Sequence, residues 1–289
     1  MRCAKLARII GVLLAASVLA ACSSVRLAYN NLPTLSYWWL DGYVDFDDAQ
    51  TPRVQEDLAE LLEWHRRTEL PKVAGLLQRA EALAPGDVTP AQVCELGDEI
   101  RVRLLAIAER AEAPGTALAL SLGDAQLVQL ERKYAKVNED YRKEWLALSP
   151  TALQEKRYDQ LLGRSEDFYG TLEPAQRDLL RQQVAASAFS PQVVDTQRRA
   201  RQQEALALLR STRTEQTPPA TVRAALRAYA QRIADPPPGP VRDRQQALLQ
   251  EGCRNIAALH NRTTPTQRAR ALARLQAYER DVLQLAAAR

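Results

Sequence analysis

The chain is poor in what many folds rely on. Among 289 residues there are 11 glycines, three phenylalanines, one methionine and two histidines. No run alternates β-branched with polar residues, so a sheet-based core is excluded. With only His65 and His260, a histidine-based general base or a multi-histidine metal site has little material. The chain also lacks a G-x-S-x-G elbow, a G-x-x-x-x-G-K-[ST] phosphate loop, an H-E-x-x-H zinc helix and a G-x-G-x-x-G turn. These absences predict a protein that is not an enzyme and carries no cofactor.

Long apolar runs are missing too. The uncharged stretch from Ile9 to Ala21 follows Arg2, Lys5 and Arg8, and at roughly a dozen residues it falls short of the ~20 a spanning helix needs. That layout predicts a secretory signal cleaved after residue 21. Leu19-Ala20-Ala21-Cys22 looks like a bacterial lipobox, in which the Cys22 thiol takes a diacylglycerol through a thioether and becomes the mature amino terminus. Ser23 in place of aspartate resembles the pattern of lipoproteins sorted to the outer membrane. The expected location is the outer membrane, lipid-anchored and facing the periplasm, with the membrane as one partner.

Charge of one sign is lacking once the signal is removed. The full chain has 39 Lys+Arg against 35 Asp+Glu, and loss of Arg2, Lys5 and Arg8 leaves 36 against 35. A balanced surface carries no electrostatic footprint for nucleic acid. Of four cysteines, Cys3 departs with the signal and Cys22 is acylated. Cys94 and Cys253 remain in an oxidising compartment and are predicted to pair, the alternative being two buried thiols.

What the chain has in plenty is Ala, Leu, Gln, Arg and Glu, the strong helix formers. Ser or Thr followed by Pro marks helix starts at Thr51, Thr89, Ser149, Ser190, Thr217 and Thr264, with a weaker start at Glu173-Pro174; the hydroxyl caps orphan amides and proline is harmless at the first helical position. Gln92 and Gln267 complete capping boxes. Apolar residues recur at three and four: Leu127, Leu130, Tyr134, Val137, Tyr141, Trp145 and Leu148 form one stripe, and Leu249, Cys253, Ile256 and His260 another.

The expected fold is all-α, a multi-helix bundle or layered helical body of about ten helices. They are placed near 25–40, 52–70, 72–84, 90–112, 123–147, 150–169, 174–188, 191–212, 219–233 and 241–261, with 265–287 after. Linkers are expected at 84–87, 112–115 and 235–240. Residues 22–289 read as one helical domain with a possible sub-boundary at 235–240. The recurring cap-Pro-x-Gln starts are irregularly spaced and read as one capping solution reused, rather than as a repeat array.

The densest chemistry is YWWLDGYVDFDD at 37–48. Leu35, Trp38 and Trp39 can share one helical face, which predicts that Trp38 or Trp39 pins the first helix to the bundle and that Asp41 to Asp48 form the turn out of it. The alternative is a ligand-binding or hydrolytic site at Trp38, Trp39, Tyr43, Asp45, Asp47 and Asp48, since aromatic faces beside carboxylates suit sugars or cations. The acids do not fit an EF-hand loop. Cys253 and His260 could share a zinc ion, but nothing nearby supplies two further ligands, so no metal site is expected.

Together the lipobox, VRLAYNNLPTLSYWWLDGYVDFDD, LLEWHRRTELP, LERKYAKVNEDYRKEW and EKRYDQLLGRSEDFYG resemble a family of Gram-negative bacterial lipoproteins known only by a domain-of-unknown-function label. The resemblance implies location and helical character. LEPAQRDLL at 172–180 and TTPTQRARAL at 263–272 are similar to the L-T-x-x-Q helix starts of Spy/CpxP-type periplasmic chaperones. The anchor and the helices, together with the absence of catalytic templates, predict a protein-interaction, scaffold or chaperone-like role with an envelope protein as partner.

Overall fold

Residues 25–212 and 217–288 are described by a computed structural model. They form an all-α body, and no strand occurs among them. The expected signal at 1–21 and the lipid-bearing Cys22 lie outside the described residues.

Residues 25–30 make a short helical lead-in that breaks at Asn31, ahead of Pro33. Then come α1 (Leu32–Val44), α2 (Gln50–Thr68), α3 (Leu70–Leu83), α4 (Pro90–Arg110), α5 (Glu112–Ser121) and α6 (Asp124–Tyr141), the last continued by a π-helical turn, Arg142–Leu146. The second half holds α7 (Pro150–Tyr169), α8 (Pro174–Ala186), α9 (Pro191–Ser211), α10 (Pro219–Ala234), α11 (Pro240–His260) and α12 (Pro265–Ala287).

Four of the twelve described starts follow from hydroxyl caps. The hydroxyls of Thr89, Ser149, Ser190 and Thr264 accept from the amide three residues on, satisfying groups a helix leaves orphaned. Three local expectations need correction. Helix α2 is capped by Asp47 rather than by Thr51, since Asp47 Oδ1 accepts from the amides of Ala49 (3.0 Å) and Gln50 (2.8 Å). Residues 112–115 are the first turn of α5 and not a linker; Pro114 sits where an amide has no intrahelical partner anyway. The helix expected to run to 147 changes winding at Tyr141, where Ala147 N bonds Arg142 O at 2.9 Å in the five-residue pattern of a π turn.

The disulfide expected between Cys94 and Cys253 is present, with Cα atoms 5.4 Å apart, and it joins α4 to α11. Helices on the two sides of segment 235–240 interleave: α12 packs on α3 and α7, and α11 on α4 and α8.

These contacts follow a rule the sequence did not reveal. Shifting each label by six reproduces most helix contacts, those of α2 with α3, α4 and α12 being among the exceptions: α1 packs on α2 and α6 as α7 does on α8 and α12. Likewise α4 lies on α11 as α10 does on α5, and α3 on α12 as α9 does on α6. The buried clusters repeat as well. Tyr158, Tyr169, Leu172, Leu180 and Leu259 unite α7, α8, α11 and the turns between them, while Val44, Leu122 and Leu127 unite α1, α5 and α6 in a smaller version.

Four glutamines hold the repeat together. Gln126, Gln176 and Gln267 occupy the third position of a helix and Gln50 the first, three residues after the capping Asp47, and each Oε1 accepts from the amide three residues back, at 3.2 Å for Gln50 and 2.9, 2.8 and 2.9 Å for the others. They then pair across the fold as reciprocal amides. Gln50 and Gln126 exchange bonds of 3.2 and 2.6 Å, and Gln176 and Gln267 bonds of 2.7 and 2.9 Å. Each Nε2 also donates to the carbonyl five residues before its partner: Ser121 for Gln50, Asp45 for Gln126, Arg262 for Gln176 and Thr171 for Gln267. The reading of these starts as one capping solution reused is therefore incomplete, because two identical locks mark two copies of a six-helix unit.

Candidate functional site

The 37–48 segment divides into two parts. Its carboxylates serve the turn. Asp41 Oδ1 accepts from Phe46 N at 2.9 Å, Asp47 caps α2, and Asp45 closes α1 in the left-handed region at φ 61 while its carbonyl receives Gln126. Asp48 is exposed. The turn out of the first helix is therefore shorter than the expected Asp41 to Asp48: α1 runs on to Val44, Asp41 belongs to its last turn, and the chain turns from Asp45.

Its aromatics do not do what was expected. Trp38 and Trp39 are 64% and 63% exposed, and Leu32 and Leu35 on the same side of α1 are exposed too. The helix is pinned instead by its other face. Val44 is buried there and the Tyr37 hydroxyl bonds Thr51 Oγ1 at 3.0 Å, while Tyr43, on the Trp39 side at the end of the helix, meets Tyr134 at 6.2 Å between ring centroids. Period alone could show that Leu35, Trp38 and Trp39 share a face, but not that the face looks outward.

Of the six candidate ligand residues, the structure brings Trp39 and Tyr43 together at 4.8 Å, with Lys133 Nζ 5.2 Å from the Tyr43 ring centre. Asp47 borders an open cavity of about 350 Å³ with Arg53, Asp57, Leu118 and Ser121. Neither indole lines that cavity, so aromatics and carboxylates do not converge on one cleft. A larger opening of about 500 Å³ lies among α2, α4, α5 and α10, where buried Glu69 is held by Lys72 (2.7 Å) and Arg103 (3.2 Å) and Glu112 by Arg227. Opposite charges there satisfy one another.

Among the described residues no group of three or more His, Cys, Asp or Glu is placed to hold a metal. Cys253 has its sulfur in the disulfide, and the Leu249–His260 stripe splits: Cys253 and His260 point inward while Leu249 and Ile256 are exposed. An acid pair missed at the sequence level lies between α3 and α12, where burial and then the Glu279 carboxylate raise the pKa of Glu81. Only the folded structure brings positions so distant in sequence together.

Both histidines sit against tyrosines. His260 Nε2 lies 2.9 Å from Gly86 O, and because a carbonyl only accepts, Nε2 carries the hydrogen and Nδ1 accepts from the Tyr169 hydroxyl at 3.0 Å. His65 Nδ1 meets Tyr29 Oη at 2.9 Å. Burial lowers the pKa of both imidazoles and pushes Tyr169 up to about 12. Below the ordinary histidine value, about 6.5, the unfolded chain therefore binds protons that the folded one refuses. This contribution is complete above that value and is lost as pH falls through it toward the lowered folded values. Thermal melts between pH 7.5 and 5 should show a steady fall in Tm below about pH 6.5, smaller in His260→Gln; a flat profile would refute the assignment of neutral buried imidazoles.

No described helix is long and apolar enough to cross a membrane. In comparisons with known proteins, the family of unknown function DUF6279 matches residues 42–217, from the end of the YWWLDGY stretch to just past α9. No curated protein and no solved structure matches.

Proposed function

Since the chain belongs to the DUF6279 family, matched over more than half its length, we propose its role from its own residues: a helical envelope protein, tethered by lipid on Cys22 to the outer membrane and facing the periplasm, that works through protein contacts. It acts as a scaffold, accessory subunit or chaperone-like binder rather than as an enzyme. The observation that carries this reading is the outer surface of the disulfide-joined pair. Ile100 and Leu104 on α4 and Leu249 and Ile256 on α11 are large apolar side chains left exposed, on helices tied together by Cys94–Cys253. Apolar groups held open on a rigid frame favour a partner that covers them.

The chaperone-like shade of this reading draws on the glutamine locks. The two stretches that resemble Spy/CpxP helix starts, around Gln176 and Gln267, form one of the two reciprocal amide pairs. The alternative of a ligand-binding or hydrolytic site at 37–48 gains little, because Asp47 is engaged as a cap and the indoles stand away from the nearby cavity.

A photo-crosslinking residue at position 104, introduced into the protein in intact envelopes, tests the reading. The expected result is one reproducible crosslinked protein that disappears when Ile100 and Ile256 are replaced by lysine. The same background of adducts with and without those replacements would argue that this surface has no partner.

A further inference from the structure

The exposed stripe on α1 has a control built into the same chain. By the six-helix repeat, α7 is the counterpart of α1, and both end in a residue with positive φ, Asp45 at 61° and Gly170 at 79°. Counting back from these caps sets Trp39 against Arg164, Trp38 against Gly163, Leu35 against Gln160 and Leu32 against Arg157. Gln160, Gly163 and Arg164 on α7 are exposed and polar or bare, as solvent demands, while Arg157 folds onto Phe189 and Ser187; the matching positions of α1 carry two indoles and two leucines, all exposed. The architecture accepts either composition. What distinguishes α1 is its place in the chain, for Val25 is the first described residue and Cys22 lies three residues before it.

We propose that the Leu32, Leu35, Trp38 and Trp39 face of α1 seats in the head-group region of the phospholipid bilayer as a second membrane contact, beside the acyl chains on Cys22. The inference rests on the lipid anchor proposed above. Three residues reach at most roughly 10 Å, so acyl chains at Cys22 hold the start of the helical lead-in against the lipid surface. The stripe from Leu32 to Trp39 spans two turns, about 10 Å of helix, and suits a helix lying in the plane of the membrane. Indoles favour that depth, where an apolar ring and a polar N–H are both accommodated, and Trp38 and Trp39 supply two of them. Two of the four nearby acids are engaged in the turn, Asp41 onto Phe46 N and Asp47 onto the start of α2, and exposed Asp45 and Asp48 lie beyond the last residue of α1. A single point of attachment leaves the body free to rotate; a second contact along α1 fixes which side of the helical body faces the periplasm.

The test uses the full-length protein, processed and lipidated in a Gram-negative host and reconstituted into phosphatidylethanolamine and phosphatidylglycerol vesicles. Two of four tryptophans lie on this face, so replacing the lipids with brominated-chain counterparts should quench about half of the tryptophan emission, with the unquenched signal shifted to longer wavelength. In Trp38→Ser/Trp39→Ser the remaining indoles, Trp64 and Trp145, should give no bromine-dependent loss. A vesicle-bound protein whose emission ignores bromine and stays open to aqueous iodide overturns the inference while leaving the anchor intact. Shielding that appears without vesicles and grows with protein concentration assigns the face to a second copy, and also overturns it. Failure to remain with vesicles at flotation instead defeats the anchor itself.

Discussion

Replacing Gln176 with alanine should lower stability by about 3 kcal/mol, as two or more buried polar groups lose their partners at roughly 1–3 kcal/mol each. Gln176 is 1% exposed, and its amide serves three others: it accepts from Glu173 N and donates to Gln267 Oε1 and Arg262 O. Removing it takes one partner each from the Oε1 and Nε2 of Gln267, itself buried. Thermal melting should show the loss as a fall of roughly 5–10 °C, the scale for a chain of this length. The equivalent change in the other lock, Gln126→Ala, should cost only about 1 kcal/mol, because Gln126 is partly open and water can take over its bonds. Gln267→Ala combined with Gln176→Ala should cost less than the sum of the two, with a coupling of order 1–3 kcal/mol. Equal effects at positions 126 and 176, or strict additivity of 176 and 267, would contradict the reciprocal-amide account.

The second large effect is expected at the disulfide. Cys94 and Cys253 are 159 residues apart in sequence, and in the chain-entropy view closing so long a loop restricts the unfolded ensemble by up to about 5 kcal/mol. The bond also lies where the two copies of the repeat meet, joining α4 of the first to α11 of the second. Cys94→Ser/Cys253→Ser should therefore lower the denaturation midpoint strongly and increase the dependence on denaturant, since the unbridged unfolded chain exposes more surface. Reductant added to the native protein should reproduce the shift. Two titratable thiols in the denatured, unreduced mature chain would exclude the bridge, and an unchanged midpoint on reduction would exclude its role in stability.

Local rules carried much of the fold. Thr89-Pro90 with Gln92 and Thr264-Pro265 with Gln267 marked helix starts because side chain and amide lie within a few residues, and cysteine arithmetic under an assumed exported location pointed to Cys94 and Cys253. The failures share one cause. FDDAQ at 46–50 and LGDAQ at 122–126 form the same lock as LEPAQ and TTPTQ, but neither begins with Ser/Thr-Pro, so neither stood out as a capping box. Paired helices of the two copies also differ in length, 10 residues in α5 against 21 in α11, which hides a repeat from any fixed spacing. The candidate site was half legible: Asp47 could be read as serving the turn, since its partners are two and three residues away. The outward face of Trp38 and Trp39 could not, because a helical stripe has the same period whether it meets a core or a membrane.

The central claim is that this repeat-built body works from a lipid tether at Cys22, and the mature amino terminus tests it most directly. Mass spectrometry of the N-terminal peptide, taken from protein isolated from the membranes of a Gram-negative host, should show a chain beginning at Cys22 with diacylglycerol on its sulfur, and should find no such species in Cys22→Ala. A chain that starts elsewhere, or an unmodified Cys22 thiol in soluble protein, would contradict the account.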